Sequence, residues 1–566
     1  MFSYKKTLKV LLVPFIAMAL SGCGEKAGTA SSSTAAEESE TCLGCHESER
    51  SSVTAKLIAE EWKLSSHNLN NLAGCADCHE PDAGHPTSCN LCHGGTPSGT
   101  SVSSAVHNPD ESRKCAKCHS AKAGFGFSTF NGVTRNNLTS HYNNTSSLYV
   151  SSKNVGKCRT CHNPHDTSSN MPTLRAWARS GHGRTDAPAW NAYDFKSRTG
   201  DCNRCHTTTG FIKYISTGDS TKWGSASDNT KEMLGCNACH MDYSYALRSA
   251  NQVTAHYTGG EVTYPDIGTS DLCLNCHVGR ESGTMIKNVQ RNYTSAAFVN
   301  SHYLTAGGIV FGEIGFEYEG RDYSDPAGPE EIYRHRYIGT SDSRGNSAAA
   351  SHSGPCVGCH LANKTQLGEK HTLKPYVLTG TSLSPTCETS GCHGASATLP
   401  TPRDKAWLQN VQQPRYQAAL ASLKYFLATN QYRKLYFNSS NPYFFRDTDG
   451  DGSLSSTETD AQKKWHSVGG PVTDPEISGM NNLGAAFNYN LLIHDRGGVA
   501  HNSFYTRRLI YDAIDWLDDN VMNYTAGTTL NALSGTGNTV FKAEAITYLI
   551  NAGTNNVNIG TSAERY

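Results

Sequence analysis

The chain has no excess of charge of either sign: 49 Lys plus Arg stand against 50 Asp plus Glu in 566 residues. That gives no footing for a nucleic-acid-binding surface or a polybasic membrane-binding face. Hydrophobic residues are scarce, at 37% beside 52 glycines, so the polypeptide alone has little from which to build the cores its length would accommodate. Past residue 20 there is no apolar run near the roughly 18 residues needed to span a bilayer. A fixed-length repeat is also missing, which argues against a solenoid.

What the chain has in abundance is cysteine paired with histidine. Twenty of its 21 cysteines fall in ten pairs, each followed at once by histidine. Nine read C-x-x-C-H: Cys42/Cys45/His46, Cys75/Cys78/His79, Cys89/Cys92/His93, Cys115/Cys118/His119, Cys158/Cys161/His162, Cys202/Cys205/His206, Cys236/Cys239/His240, Cys273/Cys276/His277 and Cys356/Cys359/His360. The tenth, Cys387/Cys392/His393, has four intervening residues, and an ordinary structural pair stays open there. Two thiols one turn apart add to the two vinyl groups of one haem, and the next histidine is then forced under the iron. Disulfides and zinc sites also use paired cysteines, but neither requires histidine after every second one. Ten covalent c-type haems are the expected cofactors, and their porphyrins would supply the apolar surface the sequence lacks.

Fourteen histidines lie outside the motifs, enough to give every iron a second imidazole. An iron closed by two imidazoles passes electrons but offers no site to a small substrate. The expected distal ligands are His67, His107, His141, His165, His182, His256, His302, His335, His371 and His501, with His85, His352, His466 and His494 as alternates. His165 is too close to His162 to reach over its own haem and should serve a neighbour. His182 leads into Cys202 and His256 into Cys273, while His302, His335 and His371 flank the ninth motif.

At the N-terminus Lys5, Lys6 and Lys9 precede an apolar run from Val10 to Leu20, which reads as a secretory signal (1–22). Leu20-Ser21-Gly22-Cys23 looks like a lipobox, making Cys23 the expected lipidation site. Gly24 in place of aspartate points to the outer membrane, and 23–41 reads as a lipidated, solvated tether. The haem motifs then occupy 42–393, with modules 42–280 and 281–393. The 83-residue step from Cys273 to Cys356 carries GGIVFGEIGFEYEG, whose aromatic and β-branched content predicts strand.

Residues 394–566 change texture. Tyr416, Ala419, Leu420, Leu423, Phe426 and Leu427 share a helical face after Pro414. Leu509, Ala513, Trp516 and Leu517 do so in a second helix opened by Asn502 or Ser503, and Phe541, Ala545, Tyr548 and Leu549 in a third ended by Gly553. Between the first two lies DTDGDGSLSSTE, spaced like an EF-hand loop (447–458). Asp447, Asp449, Asp451, Ser453 and Glu458 are the expected Ca²⁺ ligands, around the turn at Gly452, and the ion is expected to be structural. The expected fold class is a multihaem cytochrome c, a mostly irregular, short-helix wrapper around ten haems followed by an α-helical C-terminal domain.

These motifs, together with CHNPHD, CLNCHVGRES, GPCVGCH and VAHNSFYTRRLIYDAIDWLDD, resemble the outer-surface multihaem lipoprotein cytochromes of dissimilatory metal-reducing bacteria. The resemblance covers about residues 40 to 525. It implies an electron carrier working with an outer-membrane porin-like conduit and with periplasmic or extracellular cytochromes, delivering electrons to extracellular Fe(III) or Mn(IV), insoluble metal oxides included. A reductase of a small nitrogen or sulfur oxyanion would need an open iron, and no motif departs from histidine to signal one. A subunit of a cytochrome filament is a third reading, disfavoured by a lipid anchor.

Overall fold

The structure is a computed structural model. It describes residues 201–222, 234–241, 246–289, 292–324, 334–340, 353–362, 370–375, 384–387, 404–429, 434–449, 453–458, 464–466, 474–535 and 539–566, with short stretches before residue 200 and isolated positions 342, 393 and 451. The chain divides into two compact units, Met1–Ser169 and Asn170–Tyr566. In the first, the described elements are helix α1 (Ile58–Leu64), whose Trp62 is buried, and a hairpin of β1 (Thr129–Phe130) with β2 (Val133–Thr134).

The second unit begins with short helices, of which the first, third, fourth and seventh carry cysteine motifs. They are α2 (Asn203–His206), α3 (Thr208–Thr217), α4 (Cys236–Cys239), α5 (Asp271–His277), α6 (Gly283–Asn288), α7 (Ala306–Phe311) and α8 (Gly354–His360). A hairpin of β3 (Thr254–Tyr257) and β4 (Gly260–Thr263) turns through Thr258-Gly259, where Gly259 takes the positive φ that the tight turn requires. All described sheets are two-stranded and antiparallel, so the unit is helical and irregular.

Longer helices follow. Helix α9 (Gln413–Thr429) buries all six residues of its expected face, and a second hairpin pairs β5 (Leu435–Phe437) with β6 (Phe444–Arg446). Then come α10 (Pro475–His494), α11 (Gly498–His501), α12 (Ser503–Asp519), α13 (Ala526–Ala532) and α14 (Thr539–Leu549). Asn502 caps α12 by accepting the Tyr505 N–H, and Leu509, Ala513, Trp516 and Leu517 are buried as expected. No described helix is long and apolar enough to cross a membrane.

Helix α10 lies at the centre and carries no amphipathic stripe, because it is covered on most sides. Its glycines admit aromatic rings: a Cβ on Gly484 would meet Phe316 at 2.1 Å and one on Gly479 would meet Tyr293 at 2.3 Å. Its asparagines tie other segments by hydrogen bonds. Asn482 donates to the Trp465 carbonyl and accepts from Trp516 Nε1, while Asn488 accepts the Phe316 N–H and donates to the Phe316 carbonyl, both at 2.8 Å.

Two expectations are corrected. The segment expected as strand forms α7 and then an irregular stretch, because the backbone of Phe316 pairs with the Asn488 side chain instead of a neighbouring strand. The core also ignores a boundary at residue 393: Ile286, Tyr293, Ile309, Ile314, Phe316 and Tyr318 pack in one cluster with α9, α10, α12 and α14. Buried Arg321 reinforces the join through Asp515, and Arg565 pairs with Asp512, joining the chain's last residues to α12.

Replacing Asn488 with Leu should strip two buried backbone groups of their partners and cost about 2–4 kcal/mol. The measurable outcome is a lower thermal unfolding midpoint at unchanged bound cofactor; an unchanged midpoint would show that Asn488 does not hold this segment.

Candidate functional site

Most of the described motif cysteines of the second unit lie on short helices. Cys236 and Cys239 occupy one turn of α4, Cys273 and Cys276 lie within α5, and Cys356 and Cys359 lie within α8, each helix ending at or beside its histidine. Residues three apart share a helical face, so both thiols of a motif point to the same side. Cys202 directly precedes α2, which carries Cys205 and ends at His206.

Five motif histidines each face one histidine from elsewhere in the chain. Ring centroids are 6.2 Å apart for His206 and His302, 6.3 Å for His240 and His371, 6.3 Å for His277 and His182, 6.3 Å for His360 and His501, and 5.8 Å for His393 and His335. Two imidazole nitrogens bound about 2 Å from one metal, with about 1.2 Å more from each nitrogen to its ring centre, would set centroids about 6.4 Å apart. The observed spacing thus fits one metal between each pair.

Burial keeps most of these rings neutral, the state a metal ligand needs. It lowers the pKa of His182, His302 and His335, and takes His206 and His371 to about 4 and His277 to about 3, with the facing histidine adding to the effect on His206, His277 and His371. His501 is the contrast. Burial lowers its pKa too, but the Asp495 carboxylate outweighs burial and the net shift is upward.

Backbone and carboxylate partners aim the rings. Nδ1 of His360 is 2.6 Å from the Leu373 carbonyl, Nδ1 of His335 meets the Ala500 carbonyl, and Nδ1 of His501 is 2.7 Å from Asp495 Oδ2. Phe195 stacks on His206 at 3.9 Å, and Trp407 lies beside His393.

The motifs also adjoin one another. Cys205 Sγ donates to the Asn275 carbonyl at 4.0 Å and Cys276 Sγ to the Arg204 carbonyl at 3.8 Å, a reciprocal contact of the sixth and eighth motifs. The eighth motif adjoins the ninth as well, through Ser270 beside α5, which accepts the Val357 N–H between Cys356 and Cys359 at 3.0 Å. The sequence groups Cys356 with Cys359 as the two thiols of one haem. Both are half-buried on α8, one turn apart, with Cys359 directly before His360, and Ser270 holds the start of that helix against the start of α5.

Position along the chain does not give the facing partners. His182 faces the eighth motif instead of the sixth, His302 the sixth, His371 the seventh and His335 the tenth. His256 departs from expectation altogether. It sits on the solvent face of β3 between inward-facing Ala255 and Tyr257, opposite Glu261, whose carboxylate is 2.6 Å from its Nδ1. His494 packs against Tyr303 and reaches the Asn490 carbonyl, and half-buried His466 follows the buried Trp465. Cys42, His46, Cys75, Cys387 and the residues above are described. Cys23, Cys45, Cys78, Cys89, Cys92, Cys115, Cys118, Cys158, Cys161, Cys392, His67, His79, His85, His93, His107, His119, His141, His162, His165 and His352 lie outside the described residues.

A separate acidic cluster follows β6. Asp447, Asp449 and Asp451 bring one carboxylate oxygen each within 4.8 Å of the others. Asp447 is buried and its N–H donates to the Lys434 carbonyl at 2.7 Å. Glu458 is turned to the loop backbone, accepting from Ser455 N at 3.1 Å and from Thr448 N, contacts that pull its pKa down to about 2. Ser453 bonds to Asp451. The loop is entered from a strand, where an EF-hand has a helix.

Paired imidazoles and cysteine turns are the features of the multihaem c-type cytochrome class. Among known proteins the chain is 36% identical over 390 residues to the C-type polyheme cytochrome OmcC of Geobacter sulfurreducens, strain PCA, and 34% identical over 384 residues to the C-type polyheme cytochrome OmcB of the same species, strains KN400 and PCA. These alignments take in 62% of this chain and 47–48% of the relatives, so the chain spans about half the length of the curated relatives it matches. No family model matches the chain, and no solved structure does.

His256→Ala should leave haem content and the low-spin signal unchanged, because the ring faces solvent. Loss of one low-spin haem in that variant would return His256 to the set of ligands.

Proposed function

We propose that the protein is a ten-haem electron carrier, lipidated at Cys23 and anchored to the outer membrane. It passes respiratory electrons between a porin-like conduit or partner cytochromes and an extracellular acceptor such as Fe(III) or Mn(IV) oxide. The observation that carries this reading is the one-to-one facing of five motif histidines and five other histidines at the spacing of a shared metal. Each motif would hold its haem through both cysteines and its own histidine, with His182, His302, His371, His335 and His501 as distal ligands to the eighth, sixth, seventh, tenth and ninth. Haem supplies a one-electron couple, and the chain's residues exclude open coordination and set each potential. The adjoining cysteine ends of the sixth and eighth motifs, and the Ser270 contact that brings the ninth beside the eighth, make their attachment points neighbours, as a continuous carrier requires. The relatives' names support the polyheme class, while partners, acceptor and anchoring rest on the motifs and the lipobox.

Oxidised protein should show low-spin haem only and bind little CO when reduced. Replacing His302, His371 or His335 singly with Ala should each convert one haem to a high-spin, CO-binding form. A stoichiometric high-spin signal in the unaltered protein would favour the reductase reading.

The Asp447–Glu458 loop is proposed to hold Ca²⁺. Three carboxylates this close repel one another without a cation, and their oxygens suit a hard divalent ion. Asp449→Ala with Glu458→Ala should abolish Ca²⁺ binding and lower the unfolding midpoint while thioether-bound haem stays in place. Calcium absent by metal analysis from wild-type protein purified without chelator would refute the assignment.

A further inference from the structure

The corner between α10 and α11 holds an acidic group that ligation alone does not require. Asp495 ends α10 and is 7% exposed. Its Oδ1 accepts the Gly497 N–H at 3.0 Å, its carbonyl accepts from Gly498 N at 3.0 Å and from the Tyr416 hydroxyl at 3.3 Å, and its Oδ2 lies 2.7 Å from His501 Nδ1. Gly497 gives the ring its place: a Cβ there would meet His501 Cε1 at 2.5 Å. The imidazole is thus fixed with its other nitrogen free to ligate, facing His360 at 6.3 Å. His360 and His335 turn their Nδ1 atoms to neutral backbone carbonyls, whereas His501 faces a full negative charge.

A carboxylate on the far nitrogen of a ligating imidazole makes the ligand more basic and favours the more positive metal state. Burial strengthens the effect, since water does not screen the charge. We propose that Asp495 is a positioning residue that lowers the reduction potential of the iron held between His360 and His501. The couple is Fe(III) plus one electron giving Fe(II), with no bond broken and the Nδ1 proton retained on His501. An iron held low in this way passes electrons onward readily and accepts them reluctantly, which gives electron flow between the eighth and ninth motifs a direction. This inference rests on the bis-histidine reading above.

The test is Asp495→Asn in the full haem-loaded protein, since asparagine keeps a hydrogen-bond acceptor and removes the charge. Potentiometric titration followed by EPR should show one haem shifted upward, with its oxidised-to-reduced ratio at fixed potential falling about tenfold, or 59 mV for a one-electron couple. Haem content and the low-spin state should be unchanged. A titration superimposable on wild type would overturn the proposal, as would conversion of that haem to high spin, which would leave Asp495 only a structural role. His501→Ala separates the two readings. If it creates one high-spin haem while Asp495→Asn shifts nothing, tuning alone fails. If it creates none, the ligand assignment fails.

Discussion

The motif region of the second unit is organised around one distance, the separation of two imidazoles that face each other. Each of the five described pairs joins residues far apart in sequence, such as His240 with His371 and His360 with His501. Closing loops of that length costs conformational entropy, and two neutral buried rings facing each other across a gap return little of it. A metal between them would, so the wrapper's folding should be coupled to haem attachment. The short helices fit this division, because a four-residue turn such as α4 is too short to persist alone.

The C-terminal helices supply a rigid frame that the motif region lacks. Packing of Ile309, Ile314 and Phe316 against α10 and α12 anchors the segment that follows the eighth motif. From this frame the single corner at residues 495–501 serves two sites, giving the Ala500 carbonyl to His335 and His501 to face His360. The ninth and tenth motifs are therefore positioned by chain that contains no cysteine. That makes the C-terminal region part of the structure that sets the histidine pairs.

Much of this was legible in the sequence, and the failures are physical. The helices α9, α12 and α14 showed their faces because one side of each meets the core. Helix α10 showed none because glycines and asparagines replace apolar residues on its buried sides; Asp474-Pro475, the acceptor cap and first-turn proline, was the signal available for it. That the spare histidines suffice for every motif was readable from their number, but which motif each described one faces was not, since spacing along the chain carries no record of how short helices cross. His256 was misread because a strand's alternation decides its side, and with Ala255 and Tyr257 inward it must point out.

Crossed pairing also decides whether the motif region can be divided. A module ending near residue 280 would keep Cys202–His206 and Cys236–His240 but lose His302 and His371, the rings that face them. The converse holds for Cys273–His277, whose facing ring, His182, comes from before the sixth motif. The sixth to tenth motifs therefore cannot be cut apart without separating at least one motif histidine from the ring that faces it, which under the proposed ligation would open an iron. An open site exchanges electron transfer for ligand binding. Crossing the pairs thus keeps every described pair together only when the whole unit is folded, so under the proposed ligation a truncated unit would bind ligands where the intact one passes electrons.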